Sequence, residues 1–111
     1  MSYYFVRVPE LPKDISHQSG TVELVEYSVP EGAMITKGDV IAVVKNWWTQ
    51  MNLRAIGPGQ VTKTFFGPHT HIKIGDPIAI VVCDPEDGPK ERKTAELEII
   101  GAIREKPVRS A

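Results

Sequence analysis

The sequence predicts an all-β domain, a small sandwich of two quasi-equivalent halves followed by a separate C-terminal extension. Up to about Asp84, short β-branched runs are punctuated by Gly, Pro and Asp, with almost no three-to-four periodicity. Within this region "ITKGDVIAVV" (Ile35 to Val44) and "IKIGDPIAIVV" (Ile72 to Val82) share the pattern Gly-Asp, one residue, Ile-Ala-aliphatic-Val. After Asp84 the chain changes character, to the polar, proline-bearing "CDPEDGPKERK" and then a second apolar stretch. The division that follows is 1–84 for the sandwich and 85–111 for linker and extension.

In chain order, "GTVELVEYSV" alternates Val22 and Leu24, then Tyr27 and Val29, against Glu23, Glu26 and Ser28. The one slip in that alternation predicts a bend or bulge in a half-buried strand. "DVIAVV" follows the turn Lys37 to Asp39 and reads as a second strand. Each Gly-Asp is a turn former: the glycine supplies a positive φ at little cost, and the aspartate bonds nearby backbone amides. A repeated unit of about 35 to 40 residues, present only twice, is too few copies for a solenoid or propeller. Two such halves packed face to face bury what neither could bury alone.

In "TAELEIIGAIREKPVRSA", Ala95, Leu97 and Ile99 alternate with Glu96 and Glu98 as in a strand, whereas Leu97, Ile100 and Ile103 fit a helix. The strand reading is preferred, paired with an edge of the sandwich or with a second subunit. An apolar segment outside a closed core needs a cover, so a homodimer through this extension is an expectation.

The composition, 41% hydrophobic and 24% charged over 111 residues, is that of one soluble globular domain. The longest apolar runs, "VIAVV" and "PIAIVV", fall far short of the roughly 18 to 20 residues that span a bilayer. "MSYYFVRVPE" lacks the charged start and long apolar stretch of a signal peptide, so a cytoplasmic location is expected. The single cysteine, Cys83, cannot form an internal disulfide. Thirteen Lys and Arg against fourteen Asp and Glu remove the electrostatic warrant for nucleic acid or an acidic membrane as partner.

The order "VPEL" (Val8 to Leu11), "VPEGAMITKGDVIAVV" (Val29 to Val44), Gly59 and "IGDPIAIV" (Ile74 to Val81) resembles the biotinyl/lipoyl carrier domains, especially the lipoyl domains of 2-oxo acid dehydrogenase acyltransferases. The match spans roughly residues 6 to 83. It implies a flattened β-sandwich of two four-stranded sheets, a barrel-sandwich hybrid, with a hairpin at one end displaying the lysine that carries lipoate or biotin. With Val44 and Gly59 laid on the family's fixed points, that lysine's position falls on Trp48, preceded by Trp47. An indole has no nucleophilic amine, so Trp48 cannot form the carrier amide. Lys45 is a poor substitute, because strand alternation turns its side chain away from the face of the tip position.

Both tryptophans of the chain therefore stand in "VVKNWWTQMN" where the resemblance implies an arm. Neighbouring residues in a hairpin point different ways, so one indole can pack inward and the other is left for a partner. Tryptophan is also enriched at interface hot spots. The expected interaction site is Asn46, Trp47, Trp48 and Met51, with Met34 as an extension of the patch. An internal core or lid and a stacking platform for a planar ligand are the alternatives.

His69 and His71 in "FFGPHTHIK" evoke a metal site, but zinc normally takes three or four ligands. The only other histidine is His17, Cys83 lies on a different strand, and the resemblance implies that both histidines fall in the loop that mirrors "VPEG". No cofactor, metal or catalytic residue is expected, and Cys83 has no cationic sequence neighbour to activate it. The function expected is a non-enzymatic binding or assembly module. The other readings are a carrier or accessory subunit of a 2-oxo acid dehydrogenase or biotin-dependent carboxylase modified at another lysine, and a regulatory domain for a small planar ligand.

Overall fold

Among the described residues nine strands form two antiparallel sheets, and the connections between them explain why the sequence carries its repeat. The computed structural model describes residues 2–11, 21–46, 49–90 and 93–102. The strands are β1 (Ser2–Arg7), β2 (Thr21–Tyr27), β3 (Met34–Ile35), β4 (Val40–Lys45), β5 (Thr49–Arg54), β6 (Gly59–Thr64), β7 (Thr70–Lys73), β8 (Pro77–Cys83) and β9 (Glu96–Ala102). A 3-10 turn at Pro85–Asp87 follows β8. Sheet I has the order β1-β8-β6-β3, and sheet II the order β7-β2-β4-β5-β9.

Exchanging each strand of β1–β4 with the one four places later turns the order of sheet I into β5-β4-β2-β7. That is sheet II without β9. Each half thus gives two strands to each sheet, and the internal repeat is a structural pseudo-two-fold.

The symmetry extends to single hydrogen bonds. Gly38 N–H donates to the Ala55 carbonyl (2.9 Å) and Gly75 N–H to the Val8 carbonyl (2.8 Å). Asp39 Oδ2 accepts from Thr36 N–H (2.8 Å), and Asp76 Oδ2 accepts from Lys73 N–H (2.9 Å). Gly38 and Gly75 sit at φ 94° and 92°, a region in which a Cβ is strained. The Gly-Asp pairs are turn formers, as their chemistry predicts.

After each turn the chain buries two successive residues, Ile41 and Ala42 in β4 and Ile78 and Ala79 in β8. Strict alternation forbids this. It is achieved by bulges, where the register shifts between Val40 and Ala42 and again where β8 meets Val6 and Arg7. A third shift, between Leu24 and Glu26 in β2, lies at the slip in the "GTVELVEYSV" alternation. Leu24, Ile35, Val44, Met51, Leu53, Val61 and Val81 fill the space between the sheets.

The extension is a strand. β9 pairs antiparallel with β5 over all six residues of that strand, as the fifth member of sheet II. Asn52 Nδ2 and Arg54 Nε donate to Glu98 Oε1, both at 2.9 Å, and Arg54 Nη1 reaches the Gly38 carbonyl. At the near end Ala95 is fully buried and Thr94 Oγ1 accepts from Arg7 N–H (2.8 Å). Ala95 and, in part, Leu97 therefore have a cover within their own chain, while Ile99 and Ile100 stay exposed.

Gly59, where β6 begins, lies so close to β8 that an added Cβ would stand 2.5 Å from Val81 Cγ1 and 2.8 Å from the Val82 carbonyl oxygen. Gly59→Ala should lower stability by about 2 to 3 kcal/mol in urea unfolding, because the obstruction is central strand backbone. Gly67→Ala, with nothing within 4 Å of the new Cβ, should stay within about 0.5 kcal/mol of the parent.

Candidate functional site in the β4 to β5 hairpin

The hairpin that joins the two halves is closed by Asn46 and Thr49. Asn46 N–H donates to the Thr49 carbonyl (3.0 Å), and the returning bond, from Thr49 N–H, goes to the Asn46 side-chain Oδ1 (2.8 Å). An Asx acceptor in place of the ladder carbonyl is a turn device that asparagine suits. Trp47 and Trp48, the pair between these two residues in the sequence, lie outside the described residues, as does His17. The Asn46 amide oxygen is engaged in closing the hairpin.

Met51 does not belong to an interaction surface. It is 0% exposed, one of the largest fully buried side chains. The reason is parity: Thr49, Met51 and Leu53 are the inward positions of β5, while Gln50, Asn52 and Arg54 face out. Met34 is 73% exposed but lies on β3, an edge of the other sheet, so it does not extend a patch around Met51.

Lys45 ends β4 as a half-buried residue, opposite Gln50 on one side and Glu23 on the other. Glu23 in turn faces His71 on β7, which gives a row His71, Glu23, Lys45, Gln50 across the outer face of sheet II. His69, just before β7, has φ 66° and is the counterpart of Gly32 at φ 93°. Their amides make matching bonds, Gly32 N–H to the Val61 carbonyl and His69 N–H to the Leu24 carbonyl. The imidazole is held by Glu23, with Nδ1 2.8 Å from Oε2. That bond, ahead of the nearby Lys45 charge, holds the Glu23 carboxyl below its ordinary range. Among the described residues, no group of three or more His, Cys, Asp or Glu side chains is arranged to hold a metal ion.

Cys83 is buried at the end of β8, and burial, reinforced by Asp87 and Asp84, pushes its thiol upward. Tyr4, inward on β1, is pushed up to about 12, chiefly by burial. A buried thiol raised in this way is a poor nucleophile.

No protein-family model matches the chain, and no curated protein matches it.

Asn46→Ala removes the acceptor that closes the hairpin and should cost about 1 kcal/mol in urea unfolding. Hydrogen exchange should show faster exchange at the Thr49 amide. The carboxyls of Glu98, held by Asn52 and Arg54, and of Glu23, held by His69, both titrate below the ordinary range. A lowered folded-state value means stability that is present above the unfolded carboxylate range and lost as pH falls through the folded value. Thermal midpoints should therefore fall through the acid carboxylate range, and Glu98→Gln should make that decline shallower.

Proposed function

We propose that this chain is a lipoyl-like module without a carrier arm, one that works by contact through the hairpin at Trp47 and Trp48. The observation that carries the reading is the strand order itself. Two interleaved halves, each with the Gly-Asp turn, are joined by a single hairpin, and that hairpin has tryptophan at the position where the resemblance implies the lysine. The hairpin is the junction between the two halves, a connection that the pseudo-two-fold does not repeat.

Contact in place of carriage follows from chemistry. An indole cannot take up lipoate or biotin, yet it offers a large apolar area and one N–H donor, the combination enriched at protein interfaces. The partner in this reading is a protein, with dehydrogenase or carboxylase components as the candidates implied by the resemblance.

The test has two arms. Intact-mass measurement of the protein from its native host should give the unmodified chain, and an added lipoyl or biotinyl group would overturn the reading. Native purification of the Trp47→Ala, Trp48→Ala double variant should lose a complex that the parent retains. Equal retention by both would remove the hairpin as the contact. Introducing the missing amine by Trp48→Lys should turn the chain into a substrate of a purified lipoyl- or biotin-protein ligase if the hairpin keeps carrier geometry, read as the corresponding mass gain.

A further inference from the structure

β1 and β5 are mates under the pseudo-two-fold, yet their outer edges are used differently. The correspondence reaches single side chains: Arg7 and Arg54 end the two strands, and each sends Nη1 to the carbonyl of a Gly-Asp turn, Arg7 to Gly75 (3.0 Å) and Arg54 to Gly38. The following amides match as well, Val8 N–H donating to the Asp76 carbonyl and Ala55 N–H to that of Asp39. On β5 the outer edge holds β9, and the Arg54 guanidinium closes on Glu98, with Nη2 2.7 Å from Oε1. On β1 no strand is added among the described residues.

Strand alternation shows what β1 leaves open. Arg7 N–H points away from β8, to Thr94 Oγ1 (2.8 Å), and β1 itself is unbulged, because the register slip at Val6 and Arg7 passes over Ile78 of β8. The amides two and four residues earlier, Phe5 and Tyr3, therefore face the same edge. Neither has a partner there among the described residues. Within the same set no carboxylate pairs with Arg7, whose guanidinium lies 5.5 Å from the Phe5 ring centroid.

We propose that the free edge of β1 binds an extended segment of a partner protein, one with the acidic and aliphatic alternation of β9. The mate strand defines the occupant. With the β5–β9 register carried over, an acid in the place of Glu98 stands opposite Phe5, two residues along from Arg7, just as Glu98 stands opposite Asn52, two residues along from Arg54. The Arg7 guanidinium already lies over that position. Aliphatic residues in the places of Leu97 and Ile99 fall beside Val6 and Tyr4, the inward positions of β1. Main-chain groups on an unpaired edge select an extended chain, and the adjacent cation selects the acid. A second copy could supply β9 only by uncovering its own β5, which favours another protein. Because Thr94 already takes the Arg7 amide, pairing is confined to Tyr3 and Phe5, and the contact is weak.

The probe is a synthetic peptide of residues 94–102, TAELEIIGA, added to the full chain at about 10 µM to about 1 mM, with amide exchange followed by NMR. The Tyr3 and Phe5 amides should slow by about tenfold or more at the highest concentration. Arg7→Gln in the chain, or Glu98→Gln in the peptide, should each raise the Kd about threefold, and both together little more than either alone. Tyr3→Pro loses only an outward N–H, keeps the ladder to β8 and should abolish the slowing at Phe5. Should Tyr3→Pro fail to fold, the Arg7→Gln comparison carries the test. No slowing at about 1 mM, slowing on β9 in place of β1, or an equal Kd for all the charge variants overturns the proposal. Slowing in the chain alone as its own concentration rises would make a second copy the occupant and overturn the assignment to a partner. None of these readouts involves Trp47 or Trp48, so this proposal and the hairpin reading can fail separately.

Discussion

Neither half of this molecule can close its own core. Each contributes two strands to each sheet, and the bond that holds one half's turn is accepted by the other half: Gly38 N–H by the Ala55 carbonyl, Gly75 N–H by the Val8 carbonyl. Folding is therefore a non-local event, in which β1 must find β8 and β3 must find β6 before Ile35, Val61 or Ile78 is removed from water. Tight turns that cannot be shifted by one residue are the natural device for such a fold, because a slip would turn Ile41 and Ala42, or Ile78 and Ala79, out of the core.

That constraint decides what is left free. The Gly-Asp turns, the bulges behind them and the inward residues of β4 and β8 are all committed to joining the halves. The β4 to β5 connection is the place where one half ends and the other begins, and the pseudo-two-fold has no second copy of it. Its ends are fixed, since Asn46 and Thr49 bond to each other and Met51 anchors β5 from inside. A rigid base supporting an unrepeated turn is a suitable place for a residue whose business is with another molecule.

The fold was legible because its signals are local. Gly-Asp announces a positive φ wherever it stands, and the break in the "GTVELVEYSV" alternation is a bulge seen from the side. The hairpin site was only half legible. Asn46 next to the turn is a visible capping chemistry, but the inward parity of Met51 depends on β5 being registered against both β4 and β9, which no single stretch encodes. The tail's partner was invisible for the same reason: "AELEIIGA" spells a strand without naming an edge, and it is Arg54 and Asn52, some 40 residues away, that supply the matching partners for Glu98. The sheet I face has its own local signal. In "SYYFVR" both parities are apolar, with Tyr4 and Val6 inward and Tyr3 and Phe5 outward. A strand at the edge of a sandwich needs only one apolar face, and the second is the excess to be explained.

That excess connects the extension to the asymmetry of the whole. A pseudo-two-fold scaffold starts with two equivalent outer faces and two equivalent edges, β1 and β5. Adding β9 to β5 spoils the equivalence: sheet II gains a fifth strand, and its outer face carries the Asn52, Arg54 and Glu98 clasp as well as the row from His71 through Glu23 and Lys45 to Gln50. Sheet I receives no such addition beyond the Thr94 bond at Arg7, and it keeps its aromatics uncovered. One half-turn of the scaffold therefore exchanges a surface that prefers water for one that prefers apolar contact.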